Sequence, residues 1–497
     1  MVSTEKKTGW FMGCGAVLVV MGAIMVVFWP PLFLRELQNR MILTNESMSF
    51  EMWRETPIPM YLEFHMFNIT NVEDIVAGRN VKLRVEELGP YVFRETHIKT
   101  NMTWNANSTI TFYNQRYWHY QPELSNGSLT DMVTSINPII ATIAYMLRNE
   151  RTIVKLAANV FMQMFHEHMF LTANVTDWLF EGIDDPVLNI ATSIPNLPFE
   201  IPYDKFGWFY GRNGSVEFDG SFNMHTGASD FSRLGNTESW RYANRTQYRD
   251  ECGEVKGSTG ELWAPELGQS EVYVFASDIC TYLTLSNDRE VTIEGITGVQ
   301  YAANESVFDN GWKYPHMACY CAAEAREAEC ARPGALNVSD CRFGAPAFVS
   351  LPHFLHADPH YPSKVDGLNP TPDMNFRLVL EMFTGMPLAV SAQLQINLLV
   401  RHVTGMTLNN MLPDADTLVP MFWFRQEMST TPEYARLARS ALRLRQWVPY
   451  ALYALTAIGI ALLMAGIVLF MKKLLRSPDT TPILSASQSQ ESVAAPQ

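Results

Sequence analysis

Cys252, Cys280, Cys319-Tyr320-Cys321, Cys330 and Asn337-Val338-Ser339-Asp340-Cys341 mark the stretch on which the reading of this chain turns. It holds six of the seven cysteines. An even set of cysteines around an N-glycosylation acceptor, Asn337, points to an oxidising luminal compartment and three disulfides. Zinc is the rival reading. A single residue separates Cys319 from Cys321, whereas zinc knuckles space their ligands by two to four. Disulfides are therefore favoured, and the sequence alone leaves their pairing open.

Working outward, two runs are too apolar for a water-exposed fold. Residues 9–34 and 446–471 carry no charged side chain, and each exceeds the ~20 residues a helix needs to cross a bilayer. The first is longer than a signal-peptide core and ends at Trp29-Pro30-Pro31 without a small-residue cleavage site, so it reads as an uncleaved anchor. Basic residues flank the second on both sides (Arg443 and Arg445; Lys472, Lys473 and Arg476), so charge does not orient it. Glycosylation acceptors do. Asn45, Asn68, Asn101, Asn107, Asn126, Asn174, Asn213, Asn244, Asn304 and Asn337 all lie between the two runs. The expected organisation is a cytoplasmic tail (1–8), a span (9–34), an extracellular or luminal ectodomain (35–445), a second span (446–471) and a cytoplasmic tail (472–497).

The formal charge is −14, and each tail sums to one positive charge, so the ectodomain is more acidic still. That argues against nucleic acid as a partner and against nonspecific docking on anionic lipid.

Within the ectodomain, Pro57 to Phe67 and Thr109 to Tyr120 have strand texture. Lys82 to Glu95 reads as two short strands around a Gly89-Pro90 turn. Asn137-Pro138 is a helix start, and Ile139, Ile140, Ile143, Met146 and Leu147 follow at helical spacing. Thr152 to Phe165 forms a second helix, apolar on nearly every side and too short to span a bilayer. Two readings stay open for it: a buried core helix, or a tip that shows apolar surface to a lipid or protein partner. Beyond residue 200 the texture is β again, with strands at Glu271–Ala276, Phe348–Leu351 and Leu394–Val400.

Catalytic signatures are absent: no Gly-x-Ser-x-Gly elbow, no phosphate-binding glycine loop, no His-Glu-x-x-His. His166 and His168 sit two apart and cannot share one helix face. His353, His356 and His360 surround Asp358, but Pro352 and Pro359 make the segment a loop rather than a metal site. No cofactor, no metal and no catalysis are expected. In the C-terminal tail, Asp479 four residues before Ile483-Leu484 resembles an acidic dileucine sorting signal, which would engage sorting adaptors. Cys14 reads as a membrane-helix residue, with acylation as the alternative.

Longer motifs carry a family resemblance. They include Phe64-His65-Met66-Phe67-Asn68-Ile69-Thr70-Asn71, Leu88-Gly89-Pro90-Tyr91-Val92-Phe93-Arg94-Glu95, Trp178-Leu179-Phe180-Glu181-Gly182 and Ala276-Ser277-Asp278-Ile279-Cys280. Gly344-Ala345-Pro346 and Leu351-Pro352-His353-Phe354-Leu355-His356-Ala357-Asp358-Pro359 complete them. Together with two terminal spans and clustered cysteines, the chain resembles the class B scavenger receptors. That family also holds lysosomal integral membrane proteins and insect sensory neuron membrane proteins.

The resemblance implies an α+β membrane protein: an antiparallel β-barrel ectodomain with an apical helical bundle at about 138–182 and a disulfide region at 252–341. It implies the pairings Cys252–Cys319, Cys280–Cys341 and Cys321–Cys330. It implies a receptor or transporter for hydrophobic ligands (lipoprotein lipid, sterol, carotenoid or fatty acid), taken up at the apical helices and passed through a tunnel to the plasma membrane. Lys155, Phe161, Met162, Met164, Phe165, His166 and His168 are the expected ligand-receiving residues. Relatives that bind anionic lipid carry lysines at the tip of the second helix. Here the tip reads Phe165-His166-Glu167-His168, near neutral at pH 7 and more positive in an endosome, since histidine ordinarily titrates near ~6.5. The alternatives are an endosomal or lysosomal protein that exports sterol or delivers a luminal enzyme, and an adhesion or innate recognition receptor.

Overall fold

The computed structural model describes residues 2–79, 81–193, 203–265, 270–321 and 330–476. Asp479, Ile483 and Leu484, the tail residues that resemble a sorting signal, lie outside them. The contacts divide the chain into two compact units, Gln38–Leu437 and a terminal unit of Met1–Leu37 with Ala438–Gln497.

The helices are α1 (Val2–Met41), α2 (Met48–Arg54), α3 (Val72–Val76), α4 (Pro138–Leu147), α5 (Thr152–Met164), α6 (Pro186–Ser193) and α7 (Pro432–Arg476). The first strands are β1 (Met60–Ile69), β2 (Leu83–Trp104), β3 (Thr109–Tyr120), β4 (Met132–Ile136), β5 (Phe170–Asn174), β6 (Ile183–Asp184) and β7 (Lys205–Phe206). Then come β8 (Ser221–His225), β9 (Thr237–Trp240), β10 (Glu271–Ala276), β11 (Thr281–Ile293), β12 (Ile296–Ala302), β13 (Ala335–Asn337) and β14 (Ala347–Ser350). The last are β15 (Val365–Asp366), β16 (Arg377–Leu380), β17 (Pro387–Arg401) and β18 (Asp416–Ser429).

One large sheet organises the larger unit, in the order β10-β11-β12-β16-β17-β18-β1-β2-β3-β8-β9. Neighbours along this path pair antiparallel. Its ends nearly meet. Thr237 donates to the Gly257 carbonyl at 2.8 Å, Ser258 to that of Tyr273 at 3.0 Å, and Phe275 to that of Ser258 at 2.8 Å. The Gly257-Ser258 segment thus stitches the β9 side to β10 and almost closes the wall, the architecture expected from the sequence. The centre of β1, Phe64 to Phe67, is buried on both faces, which explains why it shows no simple apolar–polar alternation.

The Gly89-Pro90 pair corrects the sequence reading. It does not end a strand: β2 runs through it for 22 residues. Phe64 pairs with Tyr91 and Met66 with Leu88, so Gly89 and Pro90 together face His65. This is a bulge, which bends a strand and re-aims side chains without ending it. Glycine is needed there, because φ is +120° and a Cβ would stand 2.7 Å from the Phe64 carbonyl oxygen.

The apical segment is corrected as well. Helix stops at Met164 rather than continuing toward 182. The chain that leaves β4 through α4 and α5 returns as β5, pairing Ile136 with Phe170 and Met132 with Asn174. A single π-helical turn, Asp177–Glu181, and α6 follow. The helix pair is therefore an insertion in a β-hairpin, whose pairing claims the residues after 169.

In the terminal unit, α1 and α7 are each long and apolar enough to cross a membrane, over Lys7–Met41 and Pro432–Leu475. They touch through small residues. A Cβ on Gly15 would come within 2.7 Å of Leu463, and one on Gly466 within 2.6 Å of Met12. Missing side chains let two apolar helices approach closely, the usual packing device in lipid.

Candidate functional site

The two largest buried clusters described in the larger unit share Ile396 and Phe424 as flanking residues. Against these residues lies a cavity of about 290 Å³. The size is at the lower edge of the roughly 300–1,000 Å³ range of small-molecule sites. The sheet contributes Ile396, Leu398, Phe422 and Phe424; α4 contributes Ile139, Thr142, Ile143 and Met146; α6 contributes Val187 and Leu188. An aromatic run, Phe206 to Tyr210, supplies a further wall, and Phe343 to Ala347 another. The α4 face is placed by its cap: Asn137 Oδ1 accepts the amides of Ile139 (3.0 Å) and Ile140 (3.4 Å), as Asn137-Pro138 predicted.

The lining is hydrocarbon except for a few polar groups, Tyr203, Arg212, Asp278 and Arg342 among them. Arg212 is buried and fully engaged. It donates to Asp219 through Nε (3.1 Å) and Nη2 (2.7 Å), and its Nη1 stands 2.9 Å from Asp278. The rings of Trp118, Phe209 and Phe218 surround the guanidinium. A chain of ion pairs runs away from it: Asp219 to Arg116 (3.0 Å), Arg116 to Glu95 (3.7 Å), Glu95 to His97, and Glu261 to the buried Lys99. Burial alone would raise the Glu95 and Glu261 carboxyls. The attraction of His97 and Arg116 for the first, and of Lys99 and His97 for the second, overcomes it and holds both down at about 2.

The cysteines pair as Cys252–Cys319, Cys280–Cys341 and Cys321–Cys330, with Cα separations of 5.7, 6.3 and 5.4 Å. The second bridge has a local consequence. Cys280 lies two residues after Asp278, and Cys341 directly precedes Arg342, so the bridge fastens together the two loops that bear the cavity's polar groups. Gly344 lets the second loop approach α4. Its φ is +78°, and a Cβ would meet the Met146 side chain at 2.8 Å.

The α5 residues separate into two faces. Ile153 (69 % exposed), Leu156, Val160, Phe161 and Met164 (71 %) are open to solvent. Of the two readings left open for this helix, the structure matches the exposed apolar tip. Met162 departs from its expected surface place: it is buried in the core, beside the helix's anchoring residue Asn159. Asn159 bonds Thr407 Oγ1 at 3.2 Å. Lys155 does not project from the tip either, since its ammonium donates to the Arg148 carbonyl (2.7 Å) at the end of α4. Phe165 is half-buried and packs on Phe161 at 4.9 Å. His166 and His168 are exposed, but Glu167 between them turns inward. Asn137 Nδ2 donates to Glu167 at 3.0 Å. Burial first, then the charge of Asp185, pushes Glu167 up to about 7, and burial raises Asp185 too. The tip is accordingly less acidic than its sequence reads.

His353, His356 and His360 are not brought together around an ion, and no group of three metal-ligating side chains occurs among the described residues. His353 is buried, bonded to Glu87. Seven acceptor asparagines are exposed; Asn68, Asn174 and Asn337 are half-buried. The cavity-lining residues escaped the sequence reading because they come from segments far apart, with no shared spacing.

The CD36 family model matches residues 13–470. The chain is 32% identical to Protein peste of Drosophila melanogaster, over 85% of this chain and 75% of that protein. It is 32% identical to scavenger receptor class B member 1 of Bos taurus, over 91% and 87%, and 27% identical to lysosome membrane protein 2 of Homo sapiens, over 86% of each. The chain belongs to the CD36 family, and scavenger receptor class B member 1 is among its relatives.

Proposed function

We propose, with membership of the CD36 family as the premise, that this protein is a two-span membrane receptor that passes hydrophobic ligands to the bilayer through the interior of its ectodomain. The single observation that carries the reading is the apolar cavity of about 290 Å³ inside a nearly closed antiparallel wall. Burying apolar surface is worth about 25 cal/mol per Å², so a lipid leaving a particle meets a steep barrier in water and almost none along a greasy passage. The protein then supplies a route rather than energy. Residues 35–445 stand on the luminal or extracellular side, with both tails cytoplasmic, because every acceptor asparagine lies between the two apolar helices. The exposed apolar face of α5 receives the ligand.

The test is lipid transfer from emulsion particles into vesicles that contain the full-length protein. Ala347 lines the cavity and is buried. Ala347→Phe is expected to cut transfer severalfold while particle capture stays unchanged; equal transfer by variant and wild type would overturn the conduit.

A second reading places the same activity in endosomes or lysosomes. It is favoured by Asp479 and Ile483-Leu484 and by the 27% identity to a lysosome membrane protein. Replacing Ile483 and Leu484 by alanine would then shift the protein to the cell surface.

A further inference from the structure

Basic side chains flank the terminal unit's apolar helices at both ends, although a translocated flank is ordinarily poor in them. The two ends differ in kind. On the tail side stand Lys6, Lys7, Lys472, Lys473 and Arg476. On the ectodomain side every basic residue of this unit is an arginine: Arg35, Arg439, Arg443 and Arg445. Glu36 is the one acidic residue beside them, so positive charge remains in excess whichever arginine it meets.

The packing of α1 on α7 sets these residues at a common height. Gly15 packs against Leu463, Gly22 against Thr456 and Gly466 against Met12, so each step up α1 is a step down α7. The same register, carried on, brings Arg35 level with Arg443 and Trp29 level with Pro449. Trp447 and Tyr450 are open to the surroundings, and their rings lie 6.1 Å apart. With Trp29 they form an aromatic belt of the kind that marks the boundary between bilayer and water. α7 is one helix from Pro432 to Arg476. At about 1.5 Å per residue, Arg445 lies ~3 Å, Arg443 ~6 Å and Arg439 ~12 Å beyond Trp447 along its axis. The polar layer of a bilayer is about 5–7 Å deep on each face. Arg35, Arg443 and Arg445 therefore stand among the phosphates, and Arg439 reaches down to them on its long stem. Arg439 and Arg443 share one face of α7, and Arg445 points from another, so the charges ring the helix.

We propose that Arg35, Arg439, Arg443 and Arg445 form a collar that selects phospholipids of net negative charge from the leaflet on the ectodomain side. A guanidinium keeps its proton at any physiological pH and meets a phosphate in a two-point fork, whereas lysine acts as a point charge. A zwitterionic headgroup also offers phosphate, but its amine cancels the attraction of the excess charge. A soluble polyanion is the rival partner; the depth of the arginines beside Trp447 favours lipid. The ectodomain as a whole is acidic and disfavours such lipid, so the attraction is confined to the collar. The proposal rests on residues 35–445 standing outside the cytoplasm and does not involve the cavity.

Full-length protein is reconstituted in phosphatidylcholine vesicles with the ectodomain outward. Spin-labelled phosphatidylglycerol or phosphatidylcholine is placed in the outer leaflet, and the immobilised fraction gives the relative affinity of each. The wild type is expected to hold phosphatidylglycerol at least about fivefold more tightly, the scale of one basic side chain at a membrane surface. The preference should shrink as salt approaches 1 M, where screening acts within about 3 Å. Arg439→Gln with Arg443→Gln and Arg445→Gln should bring the ratio close to one, and the same three positions changed to lysine should keep part of it. Lys472→Gln with Lys473→Gln should leave it unchanged. No preference in the wild type, or one that survives the triple change to glutamine, overturns the collar. If the triple variant does not fold, salt decides: a wild-type preference indifferent to salt overturns it as well. Tight binding of heparin without any lipid preference would assign the arginines to a soluble polyanion instead. A failure of the placement itself shows separately, as acceptor asparagines left without sugar in cells.

Discussion

His353 Nε2 stands 2.6 Å from Glu87 Oε2, while its other ring nitrogen accepts the Asn369 amide at 3.0 Å. The amide fixes Nδ1 as the acceptor, so the proton sits on Nε2 and is donated to Glu87. The same carboxylate takes His65 at 2.8 Å and the Trp423 indole at 3.1 Å, and the His65 ring stacks on Trp423 at 3.8 Å. One carboxylate thus ties β1, β2 and β18 to the loop that carries the Leu351–Pro359 motif.

Glu87→Gln tests that tie. Burial would raise the Glu87 carboxyl, but hydrogen bonds from His353, His65 and Trp423 hold it well below the usual carboxylate range. A depressed carboxyl stabilises the fold above its unfolded value, near 4.5, and loses that effect as pH falls through the lower folded value. The variant should lose on the order of 2 kcal/mol. The gap in Tm should stay constant from pH 7.5 down to about 5 and narrow only in stronger acid. A gap that closes at neutral pH would show that the carboxylate is not the tie.

Glu167 titrates in the opposite sense. Its folded value, about 7, lies above the unfolded one, so its contribution is complete below about 4.5 and fades as pH rises through 7. Thermal stability should fall between pH 5 and pH 8, and hydrogen exchange should quicken at residues 165–168 and in α6. Glu167→Gln should flatten both trends. A wild type with pH-independent exchange there would refute the assignment.

The apolar face of α5 is exposed without being structural. Replacing Ile153 and Met164 together by serine should leave stability within about 0.5 kcal/mol, as for other surface changes. Capture of sterol-rich emulsion particles should drop severalfold. Asn159→Ala separates orientation from surface: it removes the bond to Thr407 and should weaken capture with every apolar residue intact.

Removing the second bridge, Cys280→Ser with Cys341→Ser, opens a loop with a sequence separation of 61. The loss of loop constraint costs about 4 kcal/mol in the chain-entropy account. Lipid transfer should fall as well, because the two loops that bring Asp278 and Arg342 to the cavity lose their shared anchor. Unchanged transfer despite the lower Tm would show that packing alone positions the two loops.

Much of the architecture was legible because it is written locally. Asn137-Pro138 announces α4 by cap chemistry, and β3 coincides with the run Thr109 to Tyr120. Local writing also misled. Gly89-Pro90 has turn chemistry, but only the neighbouring strand reveals that it is a bulge opposite His65. Phe170 to Asn174 looked helical by its place after α5 and became a strand because β4 lies there to receive it. The site was less legible. Glu167 resembles its exposed histidine neighbours until its burial beside Asp185 is seen. Tyr203, Asp278 and Arg342 are scattered along the chain, and no periodicity links them.

The seam at Gly257-Ser258 bears on life in a crowded membrane. An open sheet of this size would present two raw rims of unpaired amides and carbonyls, ready to template onto the next molecule. Here the rims of β9 and β10 are spent on each other through a two-residue bridge. Many copies can therefore stand shoulder to shoulder without zipping together along these rims, and any clustering in the membrane must draw on side chains or the terminal helices instead.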